Sequence, residues 1–148
     1  MKTASKSWLV VHIFYPILAF LLEGFIRFVS SKFTFSMNTF SGSTLAMSQG
    51  LFCIFVSQSL LNAKIILDDE DKKQSRIMWV TVFTSVAIVC FVLFGLIVFS
   101  STLFDYHDIQ VAKEIKKSFE IVVFISFVFV LPMATRIQSS FDLRTNLK

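Results

Sequence analysis

Residues 77–103 read IMWVTVFTSVAIVCFVLFGLIVFSSTL, a run of 27 positions without a charged side chain. A helix rises about 1.5 Å per residue, so this run is long enough to cross the ~30 Å hydrocarbon core of a bilayer. Three further, predominantly apolar stretches lie at about 8–29, 43–67 and 118–137. Because lipid offers no hydrogen bonds to backbone polar groups, we expect all four stretches to be helices. The sequence therefore predicts an all-α, integral membrane four-helix bundle that forms one domain over residues 1–148.

The composition excludes an ordinary soluble domain. Of the 148 residues, 55% are apolar and 16% are charged, whereas about a quarter of a typical soluble chain is charged. The tails and loops are each shorter than the roughly 50 residues of an independent domain, so a soluble catalytic domain is excluded as well. The apolar run that follows the basic residues Lys2 and Lys6 exceeds the h-region of a signal peptide, and we interpret it as a retained anchor.

The distribution of basic residues predicts the orientation in the membrane. With four spans, the N-terminus, the second loop and the C-terminal tail share one side. That side carries Lys2, Lys6, Lys64, Lys72, Lys73, Arg76, Arg136, Arg144 and Lys148. The first and third loops carry Arg27, Lys32, Lys113, Lys116 and Lys117. Since basic loops stay in the cytoplasm, we expect both termini to be cytoplasmic.

A polar stripe runs along the second span. At 100° per residue, its polar members fall within roughly a third of the helix circumference. The stripe consists of Thr44, Ser48, Leu51, Phe55, Gln58, Ser59 and Asn62. Hydroxyl and amide groups left unpartnered in hydrocarbon cost several kcal/mol, so the stripe must face another helix or water.

Two interpretations of this stripe remain open. The polar groups could hydrogen-bond across the bundle, each bond being worth about 0.6 kcal/mol. Alternatively, copies of the helix line a pore, in which Gln58, Ser59 and Asn62 wet the cytoplasmic half. Leu51 or Phe55 would then form an apolar constriction that gates the pore by dewetting.

Glu23 and Arg27 form the second candidate feature, an intramembrane charge pair in the outer third of the first span. Their spacing of four residues puts both side chains on one helix face, so they can pair. The pair could be structural, with Arg27 reaching to the interface. It could also serve ion passage or subunit contact, because charge inside a membrane is expensive and marks functional sites.

A charged hairpin at 68–76 joins the second and third spans on the predicted cytoplasmic side. Its charged members are Asp68, Asp69, Glu70, Asp71, Lys72, Lys73 and Arg76. Such a segment is either a solvated turn or a docking site for a cytoplasmic trigger, which would be a sensor protein or a ligand. On the other side, residues 109–119 show helical amphipathic spacing and should lie on the membrane surface or extend the fourth span.

Enzyme chemistry is not indicated by the sequence. There is no phosphate-binding loop, dinucleotide fingerprint or zinc-protease helix, and ionisable residues at membrane depth are few. We therefore predict no enzyme activity, no catalytic residues, no metal and no cofactor. Cys53 and Cys90 fall inside spans and are interpreted as packing residues.

The layout resembles that of the small four-span phage-exclusion proteins of the RexB type. A basic residue, Arg27, closes the first span, a Ser-rich loop leads through Gly42 into the second, and the hairpin 68–76 leads to the third. The likeness covers most of the chain in topology. It implies an ion-conducting membrane protein that depolarises an infected cell on a cytoplasmic trigger. The acidic run in the hairpin departs from that family and leaves the trigger open.

A bundle of this size packs its own interior, so conduction requires a cyclic homo-oligomer with the second span at the axis. The leading hypothesis is thus a homo-oligomeric membrane channel or pore-forming effector in a bacterial inner membrane. It would act in antiphage defence or phage exclusion and be gated from the cytoplasm. The alternative is a non-conducting immunity or exclusion factor, or an accessory subunit, that binds another membrane protein. The expected partners are the lipid bilayer, further copies of the chain and a cytoplasmic sensor protein or ligand; stable nucleic-acid binding is not expected.

Overall fold

The computed structural model describes residues 7–8, 10–30, 41–62, 70–107 and 110–141. It contains four long helices, which are α1 (Tyr15–Ser30), α2 (Gly42–Asn62), α3 (Glu70–His107) and α4 (Gln110–Ser140), and a π-helical segment (Val10–Phe14) directly before α1. No strand occurs in these ranges. All four helices are long and apolar enough to cross a membrane, which confirms the prediction of an all-helical integral membrane protein.

The membrane spans differ slightly from the predicted bounds. They are Val10–Ser30, Gly42–Asn62, Lys72–Leu103 and Lys113–Ser140. The predicted second span continues to residue 67, and its last five positions lie outside the described residues. With 38 residues, α3 is about 57 Å long and therefore extends beyond the ~30 Å hydrocarbon core.

The helices alternate in direction along the chain. Trp8 meets Ser59 at one end of the bundle and Glu23 meets Thr44 at the other, so α1 and α2 are antiparallel. We call the end where α1 stops at Ser30 and α2 starts the first-loop end. The opposite end, where α2 stops and α3 starts, is the hairpin end.

The π-helical winding before α1 follows from the position of Pro16. Proline has no N–H, so it cannot donate to the carbonyl of His12 four residues earlier, as an α-helix requires. A π-helix pairs each carbonyl with the N–H five residues on and so passes over the missing donor. The segment Val10–Phe14, which ends two residues before Pro16, has this winding.

Helix α2 is the centre of the bundle. It contacts α1, α3 and α4, and more than half of its span is buried, against less than a quarter of each other span. The remaining helices expose large apolar side chains such as Phe25, Val128 and Phe129. In a membrane protein, side chains of this kind face lipid.

Two apolar clusters fill the space between the helices. The cluster nearer the hairpin end is built on Trp8, Phe52, Cys53, Val56, Leu60, Phe83, Ala87, Val130, Ala134 and Ile137. The cluster nearer the first-loop end is built on Phe20, Leu45, Ala46, Ile97 and Val123. Each cluster takes side chains from all four spans, so the interior of the single chain is packed.

Glycines allow α2 to approach its neighbours closely. A Cβ atom on Gly50 would lie 3.1 Å from the Phe91 ring and 3.4 Å from Cys90 Cβ of α3. A Cβ on Gly42 would lie 3.2 Å from the Cα of Glu120 in α4, and closer still to its side chain. Larger residues at these two positions would push the helices apart.

The amphipathic segment at 109–119 extends the fourth span, which is one of the two predicted alternatives. From Gln110 onward it continues without a break into α4. Val111 and Ile115 of this segment are exposed, and Lys116 Nζ donates to Ser101 Oγ of α3 at 3.2 Å. The extension is therefore attached to α3 rather than lying apart from the bundle.

Candidate functional site

The candidate site is the side of α2 that, among the described residues, α1, α3 and α4 leave most exposed. Its neighbours take three sides of the helix: Ser59 contacts the segment before α1, Ser57 contacts α3, and Gln49 contacts α4. The fourth side, which we call the outward face, consists of Met47, Leu51, Phe55, Gln58 and Asn62. These positions recur at helical spacing and form one stripe.

The structure divides the predicted stripe between this face and the bundle interior. Phe55, with 40% of its surface exposed, lies on the outward face together with Gln58 and Asn62. Leu51 is half-buried and lies on the same face, about one turn nearer the first-loop end than Phe55. The other three positions, Thr44, Ser48 and Ser59, are buried or hydrogen-bonded to α1 or to the segment before it.

The amides of Gln58 and Asn62 are exposed at the hairpin end of the outward face. Neither makes a hydrogen bond to another described residue. Ser57, the neighbour of Gln58, meets Thr84 Oγ1 at 3.0 Å, well inside the span of α3. An amide exposed to hydrocarbon costs several kcal/mol, so this end of the face requires water or another polypeptide.

Two exposed threonines elsewhere in the spans do not have this requirement. Thr81 Oγ1 donates to Ile77 O at 3.1 Å and Thr102 Oγ1 donates to Val98 O at 3.0 Å. Serine and threonine can use the carbonyls of their own helix in this way. The amide side chains of the outward face make no such bond, which distinguishes them from Thr81 and Thr102.

Phe55 is supported by residues that precede α1. Trp8 is fully buried, and its Nε1 donates to Ser59 Oγ at 2.8 Å. The ring of His12 stacks on Trp8, with centroids 4.7 Å apart, and meets Phe55 edge-on at 6.3 Å. The position of the phenyl ring on the outward face is therefore coupled to the N-terminal segment.

The charge pair of α1 lies at the first-loop end of the same side. Arg27 Nη2 and Nε donate to Glu23 Oε1 at 2.6 and 2.9 Å. The second carboxylate oxygen accepts from Thr44 Oγ1 of α2. The predicted pair is thus formed and also ties α1 to α2.

Sequence reasoning missed the two buried polar contacts of α2. Gln49 is fully buried, and its Nε2 donates to Ser126 Oγ of α4 at 3.0 Å. Ser57 and Thr84 join α2 to α3. The sequence contains one signal for the contact of Gln49: a glutamine that lies on the opposite side of the helix from the polar stripe requires a partner on another span.

The hairpin end carries exposed basic residues at the start of α3. Lys72 and Lys73 are exposed, and Glu70 begins the helix. Arg76 is half-buried. Of the remaining predicted hairpin residues, Asp68, Asp69 and the side chain of Asp71 lie outside the described residues.

A cluster of metal ligands or similarity to a known protein could also indicate the function. Among the described residues, no group of three His, Cys, Asp or Glu side chains could hold a metal ion. No protein-family model, curated protein or solved structure matches this chain. The functional argument therefore rests on the outward face of α2 and on the charge pair beside it.

Proposed function

We propose that the protein is a homo-oligomeric membrane channel or pore-forming effector whose pathway is lined by the outward face of α2. The observation that carries this proposal is the order of side chains along that face. The cluster of Glu23, Arg27 and Thr44 lies beside its first-loop end. The apolar side chains of Met47, Leu51 and Phe55 follow along the face, and the amides lie at the hairpin end. Polar mouths on either side of an apolar waist are typical of pores that gate by dewetting.

The packing of the single chain supports a pathway between copies rather than through one copy. Its interior is filled by two apolar clusters, so a pathway has to form between copies. In a cyclic assembly the outward faces of several α2 helices converge on the axis. The exposed amides would then face water or each other instead of lipid, which removes the cost of leaving them unpartnered.

Leu51 and Phe55 form the proposed gate. A ring of such side chains excludes water when it is narrow, and without water ions do not pass. Because His12 contacts the Phe55 ring edge-on, movement of the N-terminal segment would move the gate. The 21-residue α2 is about 32 Å long, which is enough to line a pathway through the whole hydrocarbon core.

The biological setting is part of the same proposal. The basic residues favour cytoplasmic termini, so the first-loop end is the outer mouth. The layout resembling RexB-type proteins supports a bacterial inner membrane and a role in antiphage defence or phage exclusion. The trigger, a cytoplasmic ligand or sensor protein, would act on the hairpin, where Lys72 and Lys73 are exposed.

Ion flux from dye-loaded liposomes tests the proposal. Phe55→Ser places a hydroxyl at the apolar waist, and we expect flux above that of the wild type. The matched control is Phe129→Ser on α4, because Phe129 is even more exposed but lies on another helix. Flux that is absent from wild type and Phe55→Ser alike, with the protein folded and inserted, would refute conduction.

A non-conducting factor that binds another membrane protein is the second candidate. The observation in its favour is again the unpartnered amide pair, Gln58 and Asn62, which could bond to a helix of a different protein. Such a factor would be harmless when overexpressed, whereas a pore-forming effector would depolarise the cell. Loss of partner co-purification in Gln58→Leu, without any change in oligomeric state, would favour this second candidate.

A further inference from the structure

The two charges of the Glu23 and Arg27 pair are unequally accessible. The Arg27 side chain is 49% exposed and that of Glu23 is 27% exposed. Both carboxylate oxygens are engaged, one by Nε and Nη2 of Arg27 and the other by Thr44 Oγ1. The guanidinium has five N–H donors, and Nη1 makes no hydrogen bond to a described residue.

Thr44 sets the position of this pair relative to the proposed pathway. It belongs to α2 at the first-loop end, a little less than two turns before Leu51 on the same side of the helix. An ion that approaches Leu51 from this end therefore passes the Glu23 and Arg27 side chains. The more exposed of the two, and the one with donors to spare, is the cation.

The other charged side chains that the structure describes at this end belong to α4. Glu120 packs against Gly42, on the side of α2 that faces α4. Lys116 reaches across to Ser101 of α3. Lys113, Glu114 and Lys117 are exposed on the extension of α4. Within the described part of the chain, Glu23 and Arg27 are thus the charges next to the outward face at this mouth.

We infer that this mouth selects small inorganic anions, such as chloride, and that Arg27 is the residue that determines the selectivity. The inference rests on the proposed function and names the class of ion that the pathway carries. Glu23 is the positioning residue: it holds the guanidinium at the mouth through two hydrogen bonds and is itself held by Thr44. N–H donors of arginine replace part of the hydration shell of an anion. The Glu23 carboxylate is less exposed, and three of its roughly four acceptor positions are already occupied.

Reversal potentials in a potassium chloride gradient test the inference. All proteins carry Phe55→Ser, so that current does not depend on the trigger, and are reconstituted in neutral-lipid planar bilayers. The variants are Arg27→Gln, Glu23→Gln and, as a matched control, Lys117→Gln, which removes an exposed positive charge from α4 at the same end. The size-exclusion profile of each variant is compared to establish that assembly is unchanged.

We expect the parent to pass chloride in preference to potassium. Arg27→Gln should move the potassium-to-chloride permeability ratio from below one to above one, because the negative charge of Glu23 is then no longer compensated by a guanidinium. Glu23→Gln should lower the ratio further, since the glutamine oxygen can still accept from Arg27 while the negative charge that compensates the guanidinium is gone. Lys117→Gln should leave the ratio where it is in the parent.

Two kinds of result would overturn the inference, and they are distinguishable. Current that prefers potassium in the parent, or a ratio that Arg27→Gln leaves unchanged, would overturn anion selection while leaving the channel itself in place. No current from any of the assembled proteins would overturn the proposed function and the inference that depends on it.

Discussion

Removing the hydroxyl of Ser126 should destabilise the bundle more than removing the amide of Gln49, although each change breaks the same contact. Gln49 is fully buried and donates to Ser126 Oγ at 3.0 Å. In Ser126→Ala this amide loses its only described partner in a site that water does not reach. Leaving a buried polar group unsatisfied costs about 1–3 kcal/mol.

The complementary change, Gln49→Leu, leaves no polar group of this contact without a partner. Ser126 Oγ can also donate to the carbonyl of Val123 at 2.9 Å, so in Gln49→Leu the hydroxyl remains satisfied. The expected loss is then about 0.6 kcal/mol, which is the average for one interhelical hydrogen bond in a membrane protein. Once Gln49→Leu is present, adding Ser126→Ala should cost little more.

Reversible unfolding in mixed detergent micelles measures these differences, with tryptophan fluorescence as the signal because Trp8 is fully buried in the native state. The matched control is Ser118→Ala in the same helix, whose hydroxyl is exposed and donates to Glu114 O, and it should have almost no effect. If Gln49→Leu lowered the free energy of unfolding as much as Ser126→Ala or more, the asymmetry argued from Val123 would be wrong.

Two further predictions concern the close approach of α2 to its neighbours. Gly42→Ala should lower stability, because the new Cβ would lie 3.2 Å from the Cα of Glu120. Gly95→Ala, whose new Cβ meets nothing within 4 Å, should raise stability by up to about 1 kcal/mol through helix propensity. Thermal unfolding in detergent compares the two variants. Gly50→Cys should form a disulfide with Cys90 on mild oxidation, because the 3.4 Å between the two Cβ atoms is close to the 3.5–4.5 Å found in disulfides. Trypsin cleavage in the hairpin, followed by gels with and without reductant, detects this disulfide.

Each of these predictions has an outcome that contradicts the packing. Equal effects of alanine at Gly42 and Gly95 would mean that α2 and α4 are further apart than described. The disulfide experiment is done with Cys53→Ala, so that the native cysteine of α2 cannot compete. Fragments that separate without reductant would place α2 and α3 in a different register.

The helices themselves could be predicted because lipid imposes them. A run such as 77–103 has no other way to satisfy its backbone in hydrocarbon, and α3 contains all of it. The ion pair of Glu23 and Arg27 could likewise be anticipated, since their spacing brings them together on any helix. These features depend only on local sequence and on the solvent.

The packing of the helices could not be predicted in the same way. Phe83 is fully buried and Phe99 is largely exposed, although both lie in the apolar part of α3. In a soluble helix, polar residues mark the outer side, but a span in lipid is apolar all round and has no such contrast. Which phenylalanine faces inward is decided by the neighbouring helices.

The candidate site shows the same limit within one turn of α2. Gln58 and Ser59 are adjacent, and the sequence places both on the polar stripe. Ser59 bonds to Trp8, which is 51 positions earlier in the chain, while Gln58 is exposed. The long-range contact with Trp8 gives Ser59 a structural role and leaves Gln58 as the exposed residue, and local sequence does not reveal that contact.

Whether the outward face of α2 lines a water-filled pathway is tested most directly by cysteine labelling in membrane vesicles. Phe55→Cys is compared with Phe129→Cys, which is exposed on α4, and both native cysteines are buried. Because cysteine is smaller and less apolar than phenylalanine, Phe55→Cys should admit water to the gate, as Phe55→Ser does. A charged, membrane-impermeant thiol reagent should then modify Phe55→Cys and leave Phe129→Cys unmodified, and oxidation should cross-link Phe55→Cys between copies. Equal, low labelling of the two variants and no cross-link would mean that both positions face lipid, which contradicts the account.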